Sequence, residues 1–581
     1  MSVLDVDVEA DGPVDAAVLS GVGLGGIATA EGAAPRRLRT GRRVAATGRR
    51  GGLPGRRGLR WLTILAVAVA VFATGAGRRP LVNPGGWTLF ARFWRAAAHP
   101  ELSSAYLRQT GKATFTTLGY AVLGAGLSLV LGGIGGVALS QRVLSRRVRE
   151  DRPSIVVRIA RLALVIPRGI HEAVWALVLL TVLGRDPLVA VLAIGIPYGA
   201  ITAKVYADIL DESVARQHRT LRAAGAGRLQ ALFYGTLPTT GAELASYGFY
   251  RFECAVRAAV VLGMVGTGGL GFQLNQSFQG LAYRQMWTSL YALIVLGAAA
   301  EWWSGRVRRS HRARRPTIIA AIILAVASWW QLRPHVSRLW SHRTASRIAR
   351  LYRESWPPKL PRGGWDELWR AGLATIHVSF LAIIGATLLA VPLALLAARR
   401  PGSASRSGGR GSRRRARSRF GGAAVKRVAR FVALVIRSIP PTVWALLALF
   451  VLFPGVVPGA VALGIYTAGV LTRLFAEAIE NADSRAHDAL EAAGAGRIAA
   501  FAYGRLPTLA PRWTAFSLYR WEVAARDAAV VGIVGTAGLG RLLVEQTAGF
   551  AYPRMTTTVI ALIVVTFVVD AISTLLRGRL R

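Results

Sequence analysis

Cysteine is almost missing from this chain: Cys254 is the one thiol in 581 residues. That excludes an internal disulfide and any multi-cysteine metal centre. Cys254 sits in an apolar segment and reads as a packing residue. Acidic residues are sparse, 29 Asp and Glu against 73 Lys and Arg, for a formal net charge of +44. Catalytic signatures are missing too. Gly111-Lys112 is followed by Ala113 and lacks the upstream glycine of a nucleotide-binding loop. There is no H-E-x-x-H zinc helix and no nucleophile elbow. The sequence offers no catalytic cluster, metal site or cofactor site.

What is abundant is apolar. Hydrophobic residues make up 53% of the chain, and mean hydropathy is +0.40. Several apolar stretches reach about 20 residues, the length that spans a bilayer core; 113–139, 187–209, 373–398 and 555–576 are examples. These features predict an all-α, polytopic membrane protein. Twelve candidate spans are expected, six per half. The first six lie near 61–77, 113–139, 155–183, 187–209, 242–271 and 285–303. The second six lie near 316–332, 371–398, 429–452, 457–478, 513–540 and 555–577.

The basic residues cluster beside these spans, at 142–152, 306–315 and 399–420. Such runs fit cytoplasmic loops under the positive-inside rule, in contact with anionic lipid, better than nucleic-acid binding. Residues 1–60, acidic then Arg-rich, read as a disordered cytoplasmic tail ahead of the first span rather than a cleaved leader. Residues 61–305 and 316–581 then form two membrane domains joined by a basic linker at 306–315. An even number of spans places both termini in the cytoplasm.

The chain repeats itself. LRAAGAGRLQALFYGTLP, Leu221 to Pro238, returns 269 positions later as LEAAGAGRIAAFAYGRLP, Leu490 to Pro507. At the same offset, YRFECAVRAAVVLGMVGTGGLG (Tyr250 to Gly271) returns as YRWEVAARDAAVVGIVGTAGLG (Tyr519 to Gly540). A long internal repeat decides the architecture before any single residue does. Each first segment is alanine-rich and polar enough to leave the membrane. Its Gly-Ala-Gly breaks a helix in two, and its Leu-Pro marks a stop before re-entry. Two matched copies of a helix–glycine–helix on the cytoplasmic face read as docking elements.

These segments resemble the EAA signature of the permease subunits of ABC importers, and the downstream motif resembles the phosphonate-type branch. The second copy carries Glu491, Ala492, Ala493, Gly494, Gly496, Leu506 and Pro507. The first carries Ala223, Ala224, Gly225, Gly227, Leu237 and Pro238, with Arg222 where the acid stands. The phosphonate-type pattern is carried by Tyr519, Arg520, Trp521, Glu522, Arg526 and the glycines to Gly540, and by Tyr250, Arg251, Glu253, Arg257 and the glycines to Gly271. Arg437, Pro440, Val443 and Trp444 add to it, mirrored by Arg168, His171, Val174 and Trp175, with His171 in place of the proline. The resemblance covers nearly all of both halves and implies two permease domains fused in one chain. It implies two cytoplasmic ATPase subunits docked on the repeated loops, an extracytoplasmic solute-binding protein, and an oxyanion substrate. A secondary transporter built from two six-helix repeats is the rival, but it does not need the cytoplasmic loops.

Three residue sets are candidates for the path. Glu253 and Arg257, and Glu522 and Arg526, are four apart, so each pair shares a helix face inside a predicted span. Such charges either neutralise each other or face a water-filled path. Arg168 and Arg437, equivalent in the two copies, suit an anion path or snorkel to headgroups. Gly266-Thr267-Gly268-Gly269-Leu270-Gly271 matches a dinucleotide-binding pattern but lacks its strand–helix context, and Ala537 interrupts the second copy. Close helix packing explains those glycines better.

Overall fold

The computed structural model describes residues 80–140, 155–212, 216–309, 314–398 and 413–580. The expected tail 1–60, the first span 61–77 and the basic run 142–152 lie outside the described residues, as do most of 399–420 and the middle of 306–315. Among the described residues the fold is helical, with one isolated antiparallel bridge between Val82 and Leu452.

Each copy is built on a pair of long helices. Ser104–Leu139 packs along Pro187–Glu212, and Gly364–Ala397 packs along Val456–Glu480. Lipid gives apolar helices no hydrophobic reason to associate, so close approach of small residues carries the contact. A Cβ on Gly124 would lie 2.7 Å from Ile194, and one on Gly132 would lie 2.4 Å from Thr202. In the second copy Ala386, Ala390 and Ala394 form the equivalent fully buried stripe.

Among the described residues, five helices are long and apolar enough to cross a membrane: Ser104–Leu139, Pro187–Glu212, Gly364–Ala397, Val456–Glu480 and Tyr552–Gly578. Three bent pairs raise the number to eight if each counts as one span, and Pro316–Leu332 is a shorter apolar helix. Helix Tyr283–Arg309 lies where the span near 285–303 was expected. Two expected continuous spans are broken instead. Val157–Gly169 turns by 83° into Glu172–Leu183, and Ala424–Ser438 turns by 90° into Pro441–Val451. Pro440 causes the second break: it lacks an N–H and pushes Ile439 out of helical geometry. His171 does the equivalent work in the first copy. It is the extended N-cap residue whose Nδ1 accepts from the Ala173 N–H at 3.2 Å.

The glycine-rich motif makes a tight hairpin, as close packing requires. After Leu237–Leu262 the chain bends by 56° into Gly269–Gln279. A Cβ on Gly271 would fall 1.8 Å from the Val260 carbonyl oxygen, and one on Gly540 would fall 1.7 Å from that of Ala529. A threonine from the long helix caps each short helix: Thr117 Oγ1 accepts from Leu270 N–H at 2.8 Å, and Thr375 Oγ1 from Leu539 N–H at 2.9 Å.

The copies exchange elements. Helix Pro441–Val451 of the second packs into an aromatic cluster of the first, where Phe93 stacks on Trp287 at 5.0 Å and Phe278 meets Phe450 at 5.0 Å. Reciprocally, Val174 of helix Glu172–Leu183 packs among Leu539, Leu543 and Met555. The right-angle breaks therefore send one short helix of each copy into the other.

Candidate functional site

Two features stand out: a pair of surface turns and a cavity between the copies. Each turn is a helix–turn–helix, Arg216–Ala223 followed by Arg228–Ala231, and Arg485–Ala492 followed by Arg497–Gly504. The left-handed residue that ends the first helix is Gly225 (φ +89°) or Gly494 (φ +87°). The next amide reaches back five residues: Ala226 N–H donates to Leu221 O at 3.0 Å and Ala495 N–H to Leu490 O at 2.9 Å. Gly227 and Gly496, the second glycine of each Gly-Ala-Gly, are extended N-caps with φ of −62°. The conformationally required glycines are thus Gly225 and Gly494.

Ala223, Ala224, Ala492 and Ala493 are exposed, and Leu237 and Leu506 are half-buried. Pro238 and Pro507 fall in the first turn of the next helix, where the missing N–H costs nothing. The copies differ at the acid position. Arg222 Nη1 donates to Ala226 O at 2.8 Å and braces its own turn, whereas the Glu491 carboxylate lies 3.5 Å from His487 Nε2. Both turns expose large apolar side chains: Phe233 at 60% and Tyr234 at 79%, and Ile498 at 87% and Tyr503 at 80%.

The cavity has a volume of about 310 Å³ and is lined by both copies. From the first come Arg168, His171, Glu172, Tyr198, Tyr250, Arg251, Glu253 and Arg257. From the second come Arg437, Tyr466, Arg473, Glu477, Tyr519, Arg520, Arg526 and Asp527. Seven arginines thus face four carboxylates among the described residues. Five of the six residues expected on a path meet here; the sixth, Glu522, does not.

The pairing differs from the sequence expectation. Glu253 and Arg257 do form their ion pair, at 3.4 Å. Glu522 and Arg526 do not, because Arg577 on the last helix takes the Glu522 carboxylate at 2.6 Å. Arg526 instead donates to the Arg168 carbonyl oxygen at 3.2 Å. Arg437 has no acid within a helical turn but is ion-paired with Glu301 on helix Tyr283–Arg309. The Arg526–Arg168 and Arg437–Glu301 contacts cross from one copy to the other, and two more do so: Arg257 donates to Tyr466 Oη at 3.3 Å, and His171 Nε2 lies 3.3 Å from Asp527 Oδ1.

Sequence reasoning named Arg251 and Arg520 only as motif matches and passed over Tyr466, Arg473, Glu477 and Asp527. For the first two the signal was present: both arginines occur at the same place in both copies, six residues before Arg257 and Arg526.

Comparison with known proteins gives a consistent picture. The family described as "binding-protein-dependent transport system inner membrane component" matches residues 143–313 and again 416–581. The phosphate-import permease protein PhnE of Mycolicibacterium smegmatis is 26% identical over 484 residues, covering 81% of this chain and 85% of the relative. The putative phosphite transport system permease protein HtxC of Stutzerimonas stutzeri is 28% identical over 47% of this chain and 88% of its own. The putative cryptic phosphonate transport system permease protein PhnE2 of Escherichia coli is 37% identical over 20% of this chain and 97% of its own. A relative such as HtxC therefore answers to about half of the present chain, in keeping with the doubled family match.

Proposed function

Because this chain belongs to the binding-protein-dependent transport system inner membrane component family, we propose that it supplies the whole membrane pathway of an ATP-driven importer of phosphorus oxyanions. The cavity carries this reading. A polyanion needs excess positive charge in a site with low access to water, and arginine meets phosphorus–oxygen groups with a planar two-pronged edge. Seven arginines from two fused domains, 61–305 and 316–581, against four carboxylates provide that excess. The names of the relatives, which concern phosphate, phosphite and phosphonate, support the same substrate class.

In this reading two cytoplasmic ATPase subunits seat on the two glycine turns. The exposed Phe233, Tyr234, Ile498 and Tyr503 give them apolar contact area. A substrate-loaded binding protein docks on the opposite face, and both termini are cytoplasmic. ATP hydrolysis belongs to the separate subunits. Closure of the ATPases rocks one copy against the other, and the cross-copy contacts of Arg437, Arg257, Arg526 and His171 break and re-form as the cavity opens to each side. An ion-coupled carrier would have no use for paired cytoplasmic turns with exposed aromatic side chains.

Arg168, Arg437, Glu253, Arg257 and Arg526 line the proposed path; Glu522 acts one layer out, holding the last helix through Arg577. The test is Arg168→Ala combined with Arg437→Ala. Oxyanion uptake should fall steeply while ATPase subunits still co-purify. Normal uptake in the double variant would remove these arginines from the path.

A further inference from the structure

We propose that the oxyanion is held asymmetrically, against the wall supplied by the second copy, with Arg520 as its principal ligand. This rests on the importer reading above and names the binding residue within that cavity. Arg251 and Arg520 are equivalent in the repeat and both line the cavity. Their surroundings are not equivalent. The Arg251 guanidinium is enclosed by the rings of Tyr247, Tyr198 and Tyr250, at 5.0, 5.3 and 5.6 Å from their centres. Its Nε donates to the Tyr247 hydroxyl at 2.8 Å.

In the second copy Phe516 occupies the place of Tyr247, and Thr467 that of Tyr198. The hydroxyl that satisfies Arg251 is therefore missing. Arg520 is 8% exposed, and its Nε and Nη2 have no hydrogen-bond partner among the described residues. One ring remains near it, that of Tyr466 at 5.9 Å. Buried charged donors without acceptors are costly, so the site is left wanting an acceptor. Nε and Nη2 are the two nitrogens whose N–H bonds run side by side along one edge of a guanidinium. That edge takes two oxygens of one tetrahedral phosphorus group at once.

The neighbouring arginines repeat the asymmetry. Arg257 is neutralised by Glu253, whereas Arg526 has lost Glu522 to Arg577 and, among the described residues, donates to a backbone carbonyl. Asp527, the carboxylate next to Arg526, is turned to His171 of the first copy at 3.3 Å. Glu477 is engaged by Arg473 at 2.7 Å. Arg520 and Arg526 thus both stand on the second-copy wall without a carboxylate partner among the described residues.

The experiment uses the full transporter in proteoliposomes with its ATPase and binding protein. Inorganic phosphate, phosphite and methylphosphonate are each offered, and the one accumulated fastest is the probe. Phe516→Tyr keeps every charge but returns a hydroxyl to Arg520; it should raise the KM for uptake roughly tenfold. Arg520→Ala should lower uptake more, and Arg520→Lys should not restore it, since lysine lacks the forked edge. Tyr247→Phe should stay within about twofold of the parent. A KM unchanged in both Phe516→Tyr and Arg520→Ala, or Tyr247→Phe matching the Phe516→Tyr defect, would overturn the proposal. ATP-independent uptake, or none of the three anions accumulated by the parent, would instead overturn the importer reading.

Discussion

Replacing Gly494 by alanine isolates backbone strain from steric clash. Gly494 has φ of +87°, and nothing lies within 4 Å of the position a Cβ would take. Left-handed geometry costs a residue bearing a Cβ about 1–2 kcal/mol. At room temperature that lowers the population of the native turn relative to its opened form about 5- to 30-fold. The bond most directly affected joins Ala495 N–H to Leu490 O at 2.9 Å. Amide hydrogen exchange of the segment 490–497 should therefore accelerate by a similar factor in Gly494→Ala. Gly496→Ala is the matched control. Its φ is −62°, its Cβ position is also open, and its exchange should not change. Equal acceleration in both variants, or none in Gly494→Ala, would refute the assignment of the turn's required glycine.

Further outcomes follow from the same geometry. Gly540→Ala drives a methyl to within 1.7 Å of a backbone carbonyl oxygen, so the hairpin must open; thermal unfolding in detergent should show a loss of about 3 kcal/mol. Gly385→Ala, with open space around it, should leave the melting temperature unchanged. Ile498→Asp combined with Tyr503→Asp removes two exposed apolar contacts from one proposed docking turn. Co-purification of the ATPase should fall at least about tenfold while the melting temperature of the chain holds.

How far the sequence could be read depended on distance along the chain. The repeat made the helical class, the doubled architecture and both glycine turns legible, because those features are local or duplicated. The Glu253–Arg257 pair was legible for the same reason, since four residues on a helix share a face. The identical spacing of Glu522 and Arg526 misled: the competitor, Arg577, is far away in sequence and carries no local signal. Glu301 as the partner of Arg437 was hidden in the same way, being 136 residues distant. The right-angle breaks were partly visible. Pro440 and Pro441 announce one, but His171 produces the other through a side-chain cap that composition does not reveal. The difference between Tyr247 and Phe516 is plain in the repeat, yet it gains meaning only once each is seen beside its arginine.

We propose above that this chain is a pathway driven by separate ATPase subunits. That proposal is tested most directly by measuring phosphorus-oxyanion accumulation in proteoliposomes containing the chain alone, and containing the chain with its ATPase and binding protein, with and without ATP. Accumulation is expected only in the complete system and only with ATP. Accumulation by the chain alone, unaffected by ATP depletion, would contradict it.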